Sequence, residues 1–382
     1  MDTFLSPDQL ALRAEVREYL DAAYPPERVV EMERDETFPD DFWAECATRG
    51  WTGLPVPVEY GGRGGGVLDL CVFVEEVAKT CISLSTLYIS ATIFGSHALH
   101  ICGTDEQRST LLPGIASGRV RFALAMSEPG AGSDFASMTT EATTSGDAWR
   151  INGLKGPISG AERADVVITA ARTATFEDSR QRGITLFLVE AGTPGMTFER
   201  RRFAAMKALV VNNVSYDDVE VPDVARLGDR DDGWLNLARL MDIERTAASA
   251  QMVGVAQATL DEAVAYAKVR RQYGQPIGHY QAIGHPLADG LTDINASRML
   301  IWAAARKRDL EGPCPLEASM AKLFATNMAS RVASVAMQTA GAVGYEANSH
   351  FVRRLLEARG GELGGGTSQI QRTIISRRMG LR

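Results

Sequence analysis

A loop of hydroxyl and glycine residues within residues 122–134 (FALAMSEPGAGSD) is the stretch of this sequence best suited to chemistry. The apolar run at its start predicts a buried strand. Pro129 fixes one backbone angle, and the glycines that follow permit conformations that a side chain forbids. The loop therefore offers free N–H groups and the hydroxyls of Ser127 and Ser133, which suit the polar edge of a flat heterocycle or a pyrophosphate. An ordinary hairpin turn is the alternative.

Residue types that bind metals are present without the spacing of a metal site. His97 and His100 lie three residues apart on a predicted helix, but no cysteine or acid set accompanies them, and a packed or surface pair explains them better than two metal ligands. The five cysteines form no C-x-x-C pair, and their odd number does not fit a disulfide framework. We therefore predict no metal centre and a reducing, cytoplasmic location.

Composition and charge exclude further classes of protein. A chain of 382 residues that is 45% hydrophobic and 23% charged has the composition of an ordinary globular protein. Its net charge of −8 argues against non-specific nucleic-acid binding, which depends on neutralising phosphates. No stretch approaches the roughly eighteen uninterrupted apolar residues of a membrane span, and the amino terminus lacks the order of a secretion signal. We expect neither a nucleic acid nor a membrane as a partner.

The elements that must position the loop change character twice along the chain. Residues 1–120 show helical periodicity, starting at Ser6-Pro7, where a capping hydroxyl precedes a first-turn proline. Residues 121–230 show short strand-like runs, and residues 231–382 show long periodic helices. The helices predicted in this last region are 234–269, 280–310, 315–340 and a segment after Thr367. The prediction is an α+β fold, mainly α: an N-terminal helical domain, a middle small β-barrel or sandwich domain, and a C-terminal antiparallel four-helix bundle.

This order of regions, with AMSEPGAGSD at the first strand, resembles the acyl-CoA dehydrogenase family. Further segments extend the resemblance over essentially the whole chain. They are 218–222 (DVEVP), 270–274 (RRQYG) followed by Gln281, 338–344 (QTAGAVG) and 366–372 (GTSQIQR). Each segment alone is a weak signal, but together they are highly specific.

The resemblance implies a noncovalent FAD between the β domain and the bundle. The family's isoalloxazine ring lies against the glycine loop, and the adenosine and pyrophosphate end reaches a neighbouring subunit. That sharing implies a homo-oligomer, usually a tetramer, and an arginine suits the pyrophosphate as a bidentate donor. The positions that match the family's flavin contacts are Leu124, Met126, Ser127, Gly132, Ser133, Pro157, Ile158, Ser159, Arg270, Tyr273, Gln281, Gln338, Thr339, Gly341, Ala342, Thr367, Ser368 and Gln369.

The family's reaction oxidises the Cα–Cβ bond of a thioester and needs a catalytic carboxylate. The carboxylate removes the α proton while a hydride leaves Cβ for flavin N5, and fixed donors polarise the thioester carbonyl. In many members the carboxylate immediately precedes GTSQ, where this chain has Gly365. Isovaleryl and long-chain members carry it on the first bundle helix, where this chain has Glu244. We predict Glu244 as the base, against the alternative of an exposed helix carboxylate; Glu362 lies three residues out of register.

Other positions match or depart from the family's pattern. The family's W-I-T beside the flavin is Pro157-Ile158-Ser159 here, which keeps a hydroxyl but loses the indole. Lys207 replaces an arginine and is not an equivalent bidentate donor. Both changes reshape the predicted cavity. The positions that match contacts to the thioester or its carrier are Ser133, Asp242, Arg245, Gly365 and Gly366.

The resemblance implies an FAD-dependent acyl-thioester dehydrogenase. The expected substrate is short or branched and is carried on coenzyme A or on an acyl-carrier protein, and the expected electron acceptor is an electron-transfer flavoprotein. A flavin oxygenase or oxidase on the same scaffold is one alternative, favoured by Pro157 and Gly365 and disfavoured by Glu244. A scaffold subunit without catalysis is another, and the full set of flavin-contact segments disfavours it.

Overall fold

Helices form the first third of the chain in the computed structural model, which describes residues 2–381. They are α1 (Pro7–Ala23), α2 (Pro26–Arg34), α3 (Asp40–Thr48), α4 (Val67–Thr80), α5 (Ile82–Tyr88), α6 (Phe94–Cys102) and α7 (Asp105–Ala116). Ser6 caps α1 as predicted, since its hydroxyl accepts from the N–H of Gln9 and the Gln9 side chain returns a bond. The α2 helix was not predicted. Proline at a helix's first position loses no hydrogen bond, so Pro26 starts a helix rather than ending helical structure.

A π-helical turn, Ile89–Ile93, joins α5 and α6 into one helix, Ile82–Cys102. Among the described helices it is the one long and apolar enough to cross a membrane by length and composition. However, 83% of its apolar window is buried inside the protein, as in the core helix of a folded domain. π-turns are rare and occur frequently at functional sites. This helix contacts both the first strand of the sheet and the bundle.

A sheet of eight strands follows. The strands are β1 (Phe122–Ala125), β2 (Glu141–Ser145), β3 (Ala148–Ser159), β4 (Val166–Arg172), β5 (Ile184–Glu190), β6 (Met196–Arg201), β7 (Val211–Pro222) and β8 (Arg226–Leu227). Their order is β6-β7-β3-β2-β4-β5-β8, with β1 parallel to β4. A single pair, Glu141 and Arg172, joins β2 to β4, and buried residues from both halves, such as Trp149 and Phe187, pack into one apolar cluster. The predicted small β-barrel or sandwich is confirmed.

The last region is a helical bundle. Its elements are α8 (Gly233–Val269), β9 (Arg271–Gln272), β10 (Gln275–Pro276), α9 (Gln281–Glu311), α10 (Pro315–Ala340), α11 (His350–Gly361) and α12 (Ser368–Arg378). The long α8 helix packs against α4, α9 and α10. Close approach to α4 requires Gly254, because a Cβ there would lie 2.2 Å from the carbonyl oxygen of Glu75. Since α8 and the α11–α12 connection carry the predicted acid positions, this packing positions the site.

Candidate active site

A buried ion pair holds the loop after β1 in shape. Lys155, on β3, has a fully buried side chain, and its ammonium donates to Oε1 of Glu128 (3.0 Å) and to the carbonyl of Met126 (3.1 Å). Glu128 also accepts from the backbone N–H groups of Thr139 (2.7 Å) and Thr140 (2.9 Å). The loop is therefore closed at its base by charge-assisted hydrogen bonds.

We expect Lys155→Met to destabilise the fold strongly. Burial alone would raise the pKa of Glu128, but the N–H donors and Lys155 outweigh it and hold that pKa at about 2. Without Lys155 the buried carboxylate loses its countercharge, which costs about 3–5 kcal/mol. Urea denaturation measures the free energy of unfolding. The pair of Lys307 and Glu317 on the surface provides the control, since Lys307→Met should change the free energy of unfolding little.

The same ion pair sets an expected pH dependence of stability. The folded-state pKa of Glu128, about 2, lies below its ordinary value of 4.5. Its contribution is therefore present above pH 4.5 and is lost as the pH falls towards 2.

A loss of stability in Lys155→Met that is no larger than in Lys307→Met would show that the pair does not hold the loop.

The outer side of the loop is open. A Cβ added at Gly130 or Gly132 would meet no atom within 4 Å. Within residues 2–381, the backbone N–H groups of Gly132 and Ser133 have no hydrogen-bond acceptor, and both residues are exposed. Unpaired N–H groups beside empty space fit the polar edge of a planar ligand.

Strands β1 and β3 lie side by side at the loop. The carbonyl of Ser127 accepts from the N–H of Gly156 (2.9 Å), which ties β3 to the loop. Leu124 and Met126 are half-buried, whereas the alanines between and before them are buried. The two apolar side chains pack against the apolar cluster that contains Phe122 and remain partly uncovered.

The three predicted residues of β3 differ in exposure. Pro157 is exposed, Ile158 is buried in the sheet and Ser159 is half-buried. The carbonyl of Ser159 accepts from the hydroxyl of Ser90 (3.0 Å), which lies in the π-turn. The π-turn thus fixes the backbone that presents the Ser159 hydroxyl.

Glu244, on α8, meets the glycine loop between α11 and α12. A Cβ built on Gly365 would lie 2.6 Å from Oε1 and 2.9 Å from Oε2 of Glu244. Gly365 and the following Gly366 have φ angles of 61° and 86°, in the left-handed region that favours glycine. The carboxylate of Glu244 therefore fills the space that a side chain at position 365 would need. Two positions far apart in sequence converge on one place.

The carboxylate of Glu244 is buried without a full set of partners. The residue is 9% exposed, and its Oε2 accepts no hydrogen bond from any described residue. Burial raises the pKa of Glu244 above its ordinary 4.5, and Lys322 and Arg245 oppose this rise. A desolvated carboxylate with a free oxygen is suited to accept a proton, as a general base does.

Comparisons with known proteins identify the family. Three family models match in order: acyl-CoA dehydrogenase N-terminal domain over residues 6–119, middle domain over 123–219 and C-terminal domain over 231–380. The chain is 35% identical over 380 residues to the probable acyl-CoA dehydrogenase YngJ of Bacillus subtilis, covering 99% of this chain and 100% of that relative. The chain belongs to the acyl-CoA dehydrogenase family.

Two further comparisons cover the chain end to end. It is 31% identical over 374 residues to the caffeyl-CoA reductase-Etf complex subunit CarC of Acetobacterium woodii, covering 98% of each chain. The solved butyryl-CoA dehydrogenase of Megasphaera elsdenii matches with a TM-score of 0.95 at 29% identity, covering 99% of each chain. The predicted family, fold class and activity are confirmed: this acyl-CoA dehydrogenase is an oxidoreductase that acts on CH–CH bonds of acyl-CoA thioesters. FAD is its cofactor.

The open face fits FAD. The unpaired N–H groups of Gly132 and Ser133 and the half-buried hydroxyl of Ser159 are donors of the kind that the polar edge of a flavin ring accepts. Leu124 and Met126 provide the apolar surface that a planar ring packs on. Pro157, which the resemblance matched to the family's tryptophan, is exposed and offers no indole to a ring.

The segments predicted for the adenosine and pyrophosphate end lie on the surface. Arg270, Tyr273 and Gln281 are exposed, and Tyr273, at 95%, lies in the turn between β9 and β10 with a φ of 49°. Among the described residues no hydrogen bond links them to the loop after β1. A single chain of this acyl-CoA dehydrogenase therefore does not bring them together with Ser127.

The end of α10 and the start of α12 hold the remaining predicted residues. Gln338, Gly341, Ala342 and Gln369 are exposed. Thr339 is buried, and its hydroxyl donates to a carbonyl of its own helix. Thr367 and Ser368 lie at the start of α12, directly after the loop that contacts Glu244. Thr367 caps the helix, and the buried Ser368 donates its hydroxyl to Asn327 Oδ1 (3.2 Å).

Asp242 and Arg245 flank Glu244 on α8. Oδ2 of Asp242 accepts from the N–H of Cys314 (3.0 Å), and its buried Oδ1 lies 3.9 Å from Nη1 of Arg245. Neither Asp242 Oδ1 nor Arg245 Nε forms a hydrogen bond in the described part of the chain. Burial raises the pKa of Asp242 and lowers that of Arg245. Each side chain thus keeps a polar atom without a hydrogen-bond partner near Glu244.

A surface groove of about 1240 Å³ lies elsewhere. It runs between α7, the edge of the sheet and the start of α8, with Gln107, Arg226 and Arg239 among its lining residues. None of the predicted site residues lines it. It therefore contains neither the loop after β1 nor Ser159 nor Glu244.

Sequence reasoning missed two buried polar residues near Glu244. Lys322 lies on α10 on the same face as the buried residues Ala318 and Ala325. A lysine on an apolar helix face is the sequence signal that could have identified it. Gln251 lies on the buried face of α8, where its amide donates to hydroxyls of the helix Ile82–Cys102. Both contribute to the proposals below.

Proposed function

We propose that this protein desaturates a short or branched acyl thioester with Glu244 as the catalytic base. The observation that carries the proposal is the place of the Glu244 carboxylate, against Gly365, where a residue preceding GTSQ would present its own carboxylate. Bound FAD supplies the acceptor for the hydride that leaves Cβ. The chain's own residues bind, orient and deprotonate the substrate.

Proton transfer falls to Glu244. Its ionised carboxylate, which has an oxygen without a hydrogen-bond partner among the described residues, takes the α proton and becomes a neutral acid. Burial makes this carboxylate more basic than one in water, which narrows the gap to the weakly acidic α-CH. The N–H of Gly365 has no acceptor within residues 2–381, so it is available to polarise the thioester carbonyl.

Other residues hold the two ligands. Asp242 and Arg245, with their free polar atoms, fit the amide and phosphate groups of a carrier such as coenzyme A. The loop after β1 and Ser159 hold the flavin ring, and we assign the exposed Arg270 to the pyrophosphate.

Gln251 supports a short or branched acyl group. It lies about two turns along α8 from Glu244, roughly 10 Å away on the same face. Half-buried Ala248, between them, leaves room for an acyl chain. The Gln251 amide donates to Thr86 Oγ1 (2.7 Å) and Ser85 Oγ (2.8 Å), so the far end of this space is polar. Long apolar chains would have to bury these polar groups, which costs free energy.

We expect Gln251→Ala to shift preference towards longer chains. Removing the amide enlarges the far end, so the ratio of kcat/KM for eight-carbon over four-carbon thioesters should rise by about tenfold or more. Steady-state kinetics with a chain-length series measures this ratio. Gln257→Ala is the control, because Gln257 lies farther along α8 and binds Asp261 and Arg298. An unchanged ratio would place the end of the acyl group elsewhere.

An electron-transfer flavoprotein and further copies of this chain are the proposed protein partners. CarC is named as a subunit of a complex with such a flavoprotein. The exposed flavin segments carry large apolar residues on their surface, namely Val269, Tyr273, Val343 and Tyr345. Covering them with a second subunit would also complete the FAD site, so we propose a homo-oligomer, a tetramer by analogy with the family.

Location and domain division are also proposals. The five cysteines are free and four of them are buried, which supports a reducing cytoplasm. We place the domain divisions near residues 120 and 230, between α7 and β1 and between β8 and α8.

Anaerobic bleaching of the bound flavin by a panel of thioesters tests the function. Straight and branched acyl groups are offered on coenzyme A and on acyl-carrier protein, and the flavin absorbance is followed. Rapid bleaching by short or branched members supports the proposal. A protein that binds FAD but is bleached by none, or that binds no FAD, would favour the silent scaffold. Fast oxygen consumption by the reduced protein during turnover would favour the oxidase.

A further inference from the structure

Lys322, on α10, is a buried ammonium beneath the glycine loop. The residue is 2% exposed, and its Nζ donates to the carbonyls of Gly364 (2.7 Å), Gly361 (3.1 Å) and Gly366 (3.4 Å). Gly361 is the last residue of α11, and Gly364 and Gly366 lie in the connection between α11 and α12. One side chain therefore holds together a segment that is otherwise rich in flexible glycine.

Gly365 lies between Lys322 and Glu244. A Cβ at Gly365 would be 3.0 Å from Cε of Lys322 and 2.6 Å from Oε1 of Glu244. The cation and the carboxylate thus approach the same glycine, with no room for a side chain between them. Burial lowers the pKa of Lys322 to about 8, with Glu244 opposing, and burial raises the pKa of Glu244, with Lys322 opposing. Each charge therefore stabilises the other in a desolvated site.

Few other charges act on this pair. Within the described chain, Arg245, on α8, is the other cation that favours the ionised form of Glu244, and it also faces Asp242. Glu362, at the end of α11, favours the charged form of Lys322, but its oxygens bind Ser330 and Arg359. Of these two cations, Lys322 lowers the pKa of Glu244 more than Arg245 does.

We propose that Lys322 is a positioning residue for catalysis: it holds the glycine loop against Glu244 and, through its charge, keeps that carboxylate ionised and ready to accept the α proton. This proposal rests on the proposed role of Glu244. It differs from a loop-anchoring role alone, because anchoring needs only hydrogen-bond donors, whereas ionisation of Glu244 needs a positive charge.

Exchange of the substrate's α protons with D₂O separates these roles. The probe is a short acyl-CoA in which sulfur replaces the β-methylene, so no hydride can leave and NMR reports proton transfer alone. Lys322→Gln keeps donors for the carbonyls but loses the charge, so the pH midpoint of exchange should rise by about one unit. Lys322→Arg keeps the charge and should keep the wild-type midpoint. Lys307→Met, a half-exposed lysine on α9, should also leave the midpoint unchanged.

The outcomes decide between the roles. If Lys322→Gln slows exchange by the same factor at every pH, with the midpoint unmoved, Lys322 only anchors the loop. If Lys322→Arg raises the midpoint as Gln does, the charge is not responsible. Should the Gln variant fail to fold, as thermal melting would show, Lys322→Met removes the same charge, and a midpoint that stays at the wild-type value in that variant would overturn the proposed role of the charge. Exchange that persists in Glu244→Gln overturns the proposed base itself. If exchange is lost in Glu244→Gln but its pH midpoint is unchanged in Lys322→Gln, only the role of Lys322 is overturned.

Discussion

Glu244→Gln should nearly abolish reduction of the bound FAD by an acyl thioester while leaving the protein folded and yellow. The amide has the shape of the carboxylate but cannot take the α proton, and loss of a general base slows a reaction by about 10²–10⁴-fold. Folding should not suffer, since the substitution removes a buried charge whose Oε2 has no partner. Anaerobic stopped-flow measurement of flavin absorbance gives the rate, and thermal melting and FAD content check the fold.

The matched control is Glu362→Gln. Glu362 lies in the segment that leads to the glycine loop, but its two oxygens bind Ser330 and Arg359 rather than facing Glu244. This variant should bleach at the wild-type rate. If instead Glu362→Gln loses activity and Glu244→Gln keeps it, the base has been assigned to the wrong acid.

The pH dependence of flavin reduction should follow Glu244. Because burial raises its pKa above 4.5, the carboxylate takes up a proton at a higher pH than one in water. The rate should therefore fall as the pH drops, with a midpoint above 4.5. The fall should disappear in the residual activity of Glu244→Gln.

Local sequence signals predicted most of the fold. Three kinds of local signal each depend on a single element and can be recognised without knowing its neighbours. They are the capping hydroxyl of Ser6, the breaks that contain Gly or Pro, and the long helical periodicity of the bundle. Helix α11 was missed for a physical reason. Its buried face carries Arg353 and Glu357, paired at 2.6 Å, beside the apolar Phe351 and Ala358, and such pairing appears only after folding.

The candidate site was likewise predicted only in part from the sequence. Glu244 and the glycine loop were predicted through their resemblance to known segments. No local pattern encodes the contacts between elements. These are the contact of Glu244 with Gly365, the hydrogen bonds from Lys322 to three backbone carbonyls, and the hydrogen bonds from Gln251 to two hydroxyls. The buried lysine of α10 was visible in the sequence as a break in an apolar face, but its partners were not.

Gly365→Ala should inactivate the enzyme although glycine itself performs no chemistry. The new Cβ would lie 2.6 Å and 2.9 Å from the oxygens of Glu244 and 3.0 Å from Cε of Lys322, so the carboxylate must leave its position. The φ of 61° adds strain of about 1–2 kcal/mol for any L side chain. Since a base must lie within hydrogen-bond reach of its proton, we expect a loss of flavin reduction of about 10²-fold or more.

Gly364→Ala is a close control in the same loop. A Cβ at Gly364 would meet only the carbonyl of Gly360, at 3.9 Å, which is an ordinary contact. This variant should keep the wild-type rate, so a defect confined to Gly365→Ala reports the space around Glu244 and not the flexibility of the loop. Equal losses in both variants would mean that loop rigidity alone controls the rate.

Moving the acid to position 365 tests whether the two positions serve one place. In Glu244→Ala/Gly365→Glu the two closest contacts of the new Cβ are removed, because both belong to the Glu244 carboxylate, and the flexible end of Lys322 at 3.0 Å remains. The new carboxylate then starts from the space that the old one filled, beside Lys322, at a cost of about 1–2 kcal/mol for the left-handed backbone. We expect flavin reduction to be slower than in the wild type but faster than in Glu244→Ala by about tenfold or more, since a misplaced base still recovers part of the 10²–10⁴-fold of general-base catalysis. A double variant no faster than Glu244→Ala would show that a carboxylate placed at 365 does not reach the substrate's α proton, and that the convergence of the two positions is steric only.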